Sequence, residues 1–64
     1  MFGSKKREAQ ARERKATEYD NLASILMDDE LRYLEQGNYE EAAIADVTRH
    51  AFQETANRLR NEGK

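Results

Sequence analysis

The stretch Leu34-Glu35-Gln36-Gly37-Asn38-Tyr39-Glu40-Glu41-Ala42 constrains the fold more than any other part of the chain. It reads as a break between two helices, in a sequence that has no proline. Gly37 accepts the left-handed conformation that closes a helix, because it has no Cβ to clash. Asn38 is a strong N-cap residue with Glu41 three positions later, which predicts a capping box. Glu40 and Glu41 also place negative charge at the positive end of the second helix dipole. The expected fold is all-α: an antiparallel two-helix hairpin with a helix over about 17–35, a turn at 36–38 and a helix over about 39–61. A charged arm, helical or fraying, is expected over residues 1–16.

In the first helix, Tyr19, Leu22, Ala23, Leu26, Met27, Leu31, Tyr33 and Leu34 fall on one wide apolar face at helical spacing. Such a face suits a helix that touches two neighbours, as in a bundle. Glu30 projects from the middle of it. The expectation is a carboxylate that reaches water near the turn; the alternative is a buried carboxylate paired with a base or a metal. In the second helix, Ile44, Val47, Thr48, Ala51, Phe52, Thr55 and Leu59 form a thinner stripe, widened by Ala45 and Ala56. Closing the hairpin at Gly37 pairs residues whose numbers sum to about 75, by the antiparallel rise of both helices. Leu31 then meets Ile44, Leu26 meets Thr48, Leu22 meets Phe52 and Tyr19 meets Thr55. Glu8–Arg12, Asp28–Arg32 and Glu54–Arg58 have the favourable i,i+4 order. Ser4 is a candidate cap for the arm, Thr17 for a second helix start, and Gly63 for the final stop.

A 64-residue chain buries only about 60% of its unfolded surface on folding. It has no cysteine, hence no disulfide and no thiolate metal site. A hairpin this small needs a partner, and a two-fold homodimer forming a four-helix bundle is the simplest repair. The expected interface residues are Tyr19, Leu22, Leu26, Met27, Leu31, Ile44, Val47, Ala51 and Phe52. No apolar run approaches the ~20 residues of a membrane span. The N-terminal Met1-Phe2-Gly3-Ser4-Lys5-Lys6-Arg7 is not followed by the hydrophobic segment of a signal peptide. The expected location is the cytoplasm, with no membrane partner.

Charge is distributed unevenly. Residues 1–18 carry six bases and three acids, residues 19–46 one base and eight acids, and residues 47–64 four bases and two acids. The turn end is acidic and the open end basic, which is an argument about partners. Lys5, Lys6, Arg7, Arg12, Arg14 and Lys15 are the candidate contacts for nucleic acid or an acidic partner. They spread around the whole helix and are interrupted by glutamates, which weakens a phosphate-tracking role. In an antiparallel dimer, the arm of one chain would run past Asp28, Asp29, Glu30, Glu35, Glu40 and Glu41 of the other.

Little in the chain suggests catalysis. Asp46, His50 and Glu54 align on one helical face, but there is no second histidine and the face is polar. His50 has no nucleophile to activate, no glycine-rich phosphate loop exists, and two helices enclose no ligand-sized cavity. The expectation is therefore a non-enzyme without cofactor or metal.

The segment Gln36-Gly37-Asn38-Tyr39-Glu40-Glu41-Ala42 resembles the inter-helix turn of a tetratricopeptide repeat. The resemblance covers the turn alone. Glu30 stands where that repeat has a small residue, Asp46 stands where it has an aromatic, and one unit builds no solenoid. The length and architecture are similar to those of small plasmid-encoded helical-hairpin dimers that bind RNA, without shared motifs. The function expected is a small protein–protein interaction, regulatory or assembly protein acting as a homodimer. The alternative is a nucleic-acid-binding dimer that uses the basic arm.

Overall fold

Phe2–Glu35 and Tyr39–Asn61 form two α-helices, α1 and α2. The structure is a computed structural model that describes the backbone of residues 2–62 and the side chains of residues 5–62. Among the described residues there is no strand. Gly37 is the one interior glycine and proline is absent, so nothing interrupts either helix.

α1 runs unbroken through Thr17, which starts no second helix. The Thr17 hydroxyl donates to the Glu13 carbonyl at 3.0 Å. Thr48 and Thr55 bond to Ile44 and Ala51 in the same way. A threonine satisfied one turn back sits inside a helix instead of capping a new one. The basic segment and the helix after it are thus one rod. Ser4 is already within α1 and is not its N-cap; its side chain, like Gly63, lies outside the described residues. At about 1.5 Å per residue, 34 residues make a rod of ~51 Å. The whole molecule measures 54 × 13 × 10 Å. Its radius of gyration is 15.3 Å, against roughly 11 Å for a compact domain of this length.

The turn is a Schellman motif. Gly37 has φ +74°. Asn38 N–H donates to the Tyr33 carbonyl at 2.8 Å, and Gly37 N–H to the Leu34 carbonyl at 3.1 Å. These two bonds satisfy carbonyls that the end of α1 would otherwise leave open. The expected capping box is absent. Asn38 is the residue before α2, but its side chain makes no capping hydrogen bond and its ψ of 74° departs from usual N-cap geometry. Its backbone N–H is already committed to Tyr33, so it is not available to the Glu41 carboxylate for the reciprocal half of a capping box.

The helices meet along a seam with a seven-residue period. Arg12, Ala16, Tyr19, Ala23, Leu26, Glu30 and Tyr33 of α1 are buried or half-buried, as are Ala42, Ala45, Arg49, Phe52, Ala56 and Leu59 of α2. Steps of three and four are the spacing of a coiled-coil seam. Among the described residues, the buried side chains are all alanines: Ala16, Ala23, Ala42, Ala45 and Ala56. Counting outward from Gly37 sets Tyr33 level with Ala42, Ala23 with Phe52, Tyr19 with Ala56 and Ala16 with Leu59. Each layer so aligned pairs a large residue with an alanine, and small residues let helices approach closely. The Tyr19 and Phe52 rings, from neighbouring layers, lie 5.7 Å apart.

This seam corrects the expected pairing. Leu31 and Ile44 were expected to meet, but they are 55% and 60% exposed. Leu22 likewise stays largely exposed, and Phe52 pairs with Tyr19 in its place. α2 lands on the middle of the broad apolar face, along the Ala16–Ala23–Glu30 line, and leaves both flanks of that face uncovered.

Gly37→Ala should destabilise the fold by about 1 kcal/mol through backbone strain, since an added Cβ would meet nothing within 4 Å. Asn38→Ala should change stability by only a few tenths of a kcal/mol, well below the ~1 kcal/mol of a lost side-chain cap. Urea unfolding of the two variants tests this. An Asn38→Ala loss matching that of Gly37→Ala would show that the asparagine side chain caps α2 after all.

Candidate interaction surface

The seam splits the exposed apolar residues into two flanks. On one flank, α1 presents Leu22 and Ile25 beside half-buried Tyr19 and Leu26, and α2 presents Ile44 and Ala51 beside Thr48, Thr55 and Phe52. A shallow groove lined by Tyr19, Thr55 and Leu59 with Ala11, Arg12 and Lys15 continues this flank toward the open end. On the other flank, Met27, Leu31 and Leu34 form a ladder at i, i+4 and i+7 along α1. Leu34 there shares a shallow groove with Tyr39, Ala42, Ala43, Glu30 and Asp46. Val47 points outward from α2 and is 68% exposed.

The nine residues expected at an oligomer interface therefore occupy different places. Tyr19, Leu26 and Phe52 are half-buried between the helices. Leu22, Ile44 and Ala51 lie on the first flank, Met27 and Leu31 on the second, and Val47 on neither. The sequence reading left out Ile25, which is 56% exposed beside Leu22. Its spacing of three from Leu22 was the available signal.

Ionic contacts mark the two ends of the hairpin. At the open end, Arg60 donates to both Glu13 carboxylate oxygens at 3.2 and 3.3 Å and to Asp20 at 2.7 Å. These carboxylates hold the Arg60 guanidinium above its ordinary value, the Asp20 hydrogen bond being the larger cause. Arg60 ties α2 to α1 well inside the arm. Arg12 lies in the seam, its Nε buried without a partner, so its stem is packing material as well as charge. Lys5, Lys6, Arg7, Arg14 and Lys15 are exposed.

Toward the turn, Arg49 donates to Asp46 at 2.5 Å, and His50 Nε2 lies 3.8 Å from the same carboxylate oxygen. Asp46 is held below its ordinary value, chiefly by the Arg49 hydrogen bond. Partial desolvation opposes this, while the Glu30 carboxyl and the charges of His50 and Arg49 add to it. Glu30 is half-buried and shares the groove with Asp46, so it is neither a freely solvated side chain nor a sealed one. Of the three expected i,i+4 pairs none forms; Arg32 turns instead to Asp29 at 3.8 Å. Exposed pairs contribute only ~0–1 kcal/mol each, too little to dictate geometry.

Among the described residues, no group of three or more His, Cys, Asp or Glu side chains is placed to hold a metal ion. Asp46 and His50 approach each other without Glu54. Neither helix, over the described residues, is long and apolar enough to cross a membrane. No protein-family model matches the chain, and neither the curated proteins nor the solved structures give a match.

Because the Asp46 carboxyl is held low in the fold, it stabilises the hairpin above its unfolded value, near pH 3.8, and that contribution is lost as pH falls through the lower folded value. Asp46→Asn should therefore lower Tm at pH 6, and the difference from wild type should shrink as pH falls below about 3.8 and vanish only below the lower folded value. Thermal scans by circular dichroism test this. A difference that persists undiminished at pH 2 would contradict it.

Proposed function

We propose that this chain is a non-enzymatic protein–protein interaction or assembly protein that works as a homodimer of helical hairpins, packed as a four-helix bundle. The observation that carries the reading is the inverted burial. Among the described residues, the buried side chains are all alanines, while Leu22, Ile25, Met27, Leu31, Leu34, Tyr39, Ile44 and Val47 are 42–69% exposed. A buried methyl contributes about 0.8 kcal/mol, against roughly 1.5–3 for a buried leucine or isoleucine. About half of the burial free energy of these eight side chains is thus unrealised in one hairpin. The chain exposes 5198 Å², about 950 Å² more than a compact monomer of its mass. That excess is similar to the ~800 Å² per partner of a standard interface.

The flank of Leu22, Ile25, Ile44 and Ala51 draws on both helices and extends along the groove at Tyr19 and Leu59, which suits a second hairpin. Charge favours a head-to-tail arrangement, since a parallel one would crowd two acidic turns together. The rival, a nucleic-acid-binding dimer, draws on Lys5, Lys6, Arg7, Arg12, Arg14 and Lys15. Their placement around one helix offers phosphate no continuous basic track.

Sedimentation equilibrium tests the reading. Wild type should dimerise, its unfolding midpoint should rise with protein concentration, and Leu22→Gln or Ile25→Gln should weaken association roughly tenfold. A monomeric mass with a concentration-independent midpoint would overturn the dimer. A salt-sensitive gel shift abolished by neutralising the arm would favour the rival.

A further inference from the structure

The second flank has a composition that the first lacks. Met27, Leu31 and Leu34 are each between 44% and 55% exposed, and Tyr39 is 69% exposed. The ladder runs between two acidic rows. At about 100° per residue, Asp28 and Glu35 lie along its solvent side and Glu30 along its seam side, and Asp46 joins Glu30 in the groove with Leu34 and Tyr39. The nearby bases are spoken for. Arg32 is the one base between residues 19 and 46; it lies on the far side of α1 and pairs with Asp29. Arg49 is bound to Asp46. The patch thus combines an apolar strip, one turn of helix per rung, with carboxylates on both sides that no base among the described residues pairs, Asp28 and Glu35 toward solvent and Glu30 toward the seam, where Asp46 alone is paired, with Arg49.

We propose that this patch is a docking site for a basic amphipathic helix of another protein, separate from the face that takes a second copy. An amphipathic helix lays apolar side chains at i, i+3, i+4 and i+7 into such a strip. Lysines or arginines beside that stripe meet the acidic rows, which selects basic partners and speeds their encounter. The methionine adapts to differing side chains. The arm of a second copy does not fit. Residues 5–16 supply the positive charge, but Ala9, Ala11 and Ala16 are their apolar side chains, and Ala16 is buried in its own seam. The arm therefore answers the charge and leaves the ladder bare.

The probe is a synthetic leucine–lysine peptide with leucines at helical spacing, beside an isomer of the same composition with the leucines shuffled out of register. Fluorescence anisotropy reads binding and sedimentation reads self-association in parallel. The amphipathic peptide should bind wild-type protein, bind more weakly as salt rises, and perturb the NMR signals of Met27, Leu31, Leu34 and Tyr39. Leu31→Gln should weaken it roughly tenfold without altering self-association. Ile25→Gln should do the reverse, so failure of the docking site and failure of the dimer are read separately. Circular dichroism confirms that both variants stay helical, and the wild-type NMR map decides should one unfold. Equal binding of the shuffled isomer would reduce the patch to charge alone and overturn the proposal. So would perturbations confined to Leu22 and Ile25, no binding of the amphipathic peptide, or loss of self-association in Leu31→Gln, which would give the ladder to a second copy.

Discussion

Close contact between two helices along a line of alanines is the constraint on which the rest of this structure depends. Ala16 and Ala23 on α1 and Ala42, Ala45 and Ala56 on α2 are the buried side chains among the described residues. The alanines set how near the helices come, and the larger seam residues Tyr19, Leu26, Phe52 and Leu59 are only half-buried around them. A seam one small side chain deep has no room for leucines and isoleucines on either side of it. Those residues are pushed to the flanks, where they define two surfaces of different character.

The charge pattern is laid along the hairpin axis, and the Met27–Leu31–Leu34 ladder lies toward its acidic turn. Arg60 fastens the open end to Glu13 and Asp20, a tie on the same flank as the Met27–Leu31–Leu34 ladder but toward the opposite end of the molecule. The turn end keeps its acids largely unpaired, apart from Asp29 with Arg32 and Asp46 with Arg49. One flank is accordingly an apolar face drawn from both helices. The other is an apolar ladder on α1 with an acidic border. The exposed bases of residues 5–15 stand around α1 beyond most of this packing.

The hairpin and its turn were legible in the sequence because they rest on local rules. Gly37 marks the break, and its positive φ is what a helix stop of this type requires. The sequence predicts a capping box at Asn38, but the Schellman motif takes its backbone N–H away from Glu41 and its ψ of 74° departs from the geometry that side-chain capping uses. The alanine seam was visible in principle, as Ala16 and Ala23 lie seven apart and Ala42 and Ala56 fourteen apart. Apolar periodicity points the large side chains at the other helix, whereas a small-residue line allows closer approach. Thr17 was read as a helix start, though its hydroxyl bonds back to Glu13 within α1. Glu30 could not be placed from its own helix, since its surroundings include Asp46, sixteen residues away across the turn.

The central claim is that the alanines hold the hairpin together and the large apolar side chains await a second copy. Methyl NMR with a soluble paramagnetic relaxation agent, recorded across a range of protein concentrations, tests it most directly. The methyl groups of Ala16, Ala23, Ala42, Ala45 and Ala56 should be shielded wherever the chain is helical. Those of Leu22, Ile25 and Ile44 should gain shielding as concentration rises. Leucine and isoleucine methyls shielded equally at every concentration, with alanine methyls open to the agent, would contradict the account, because the large side chains would then form the core of a single hairpin.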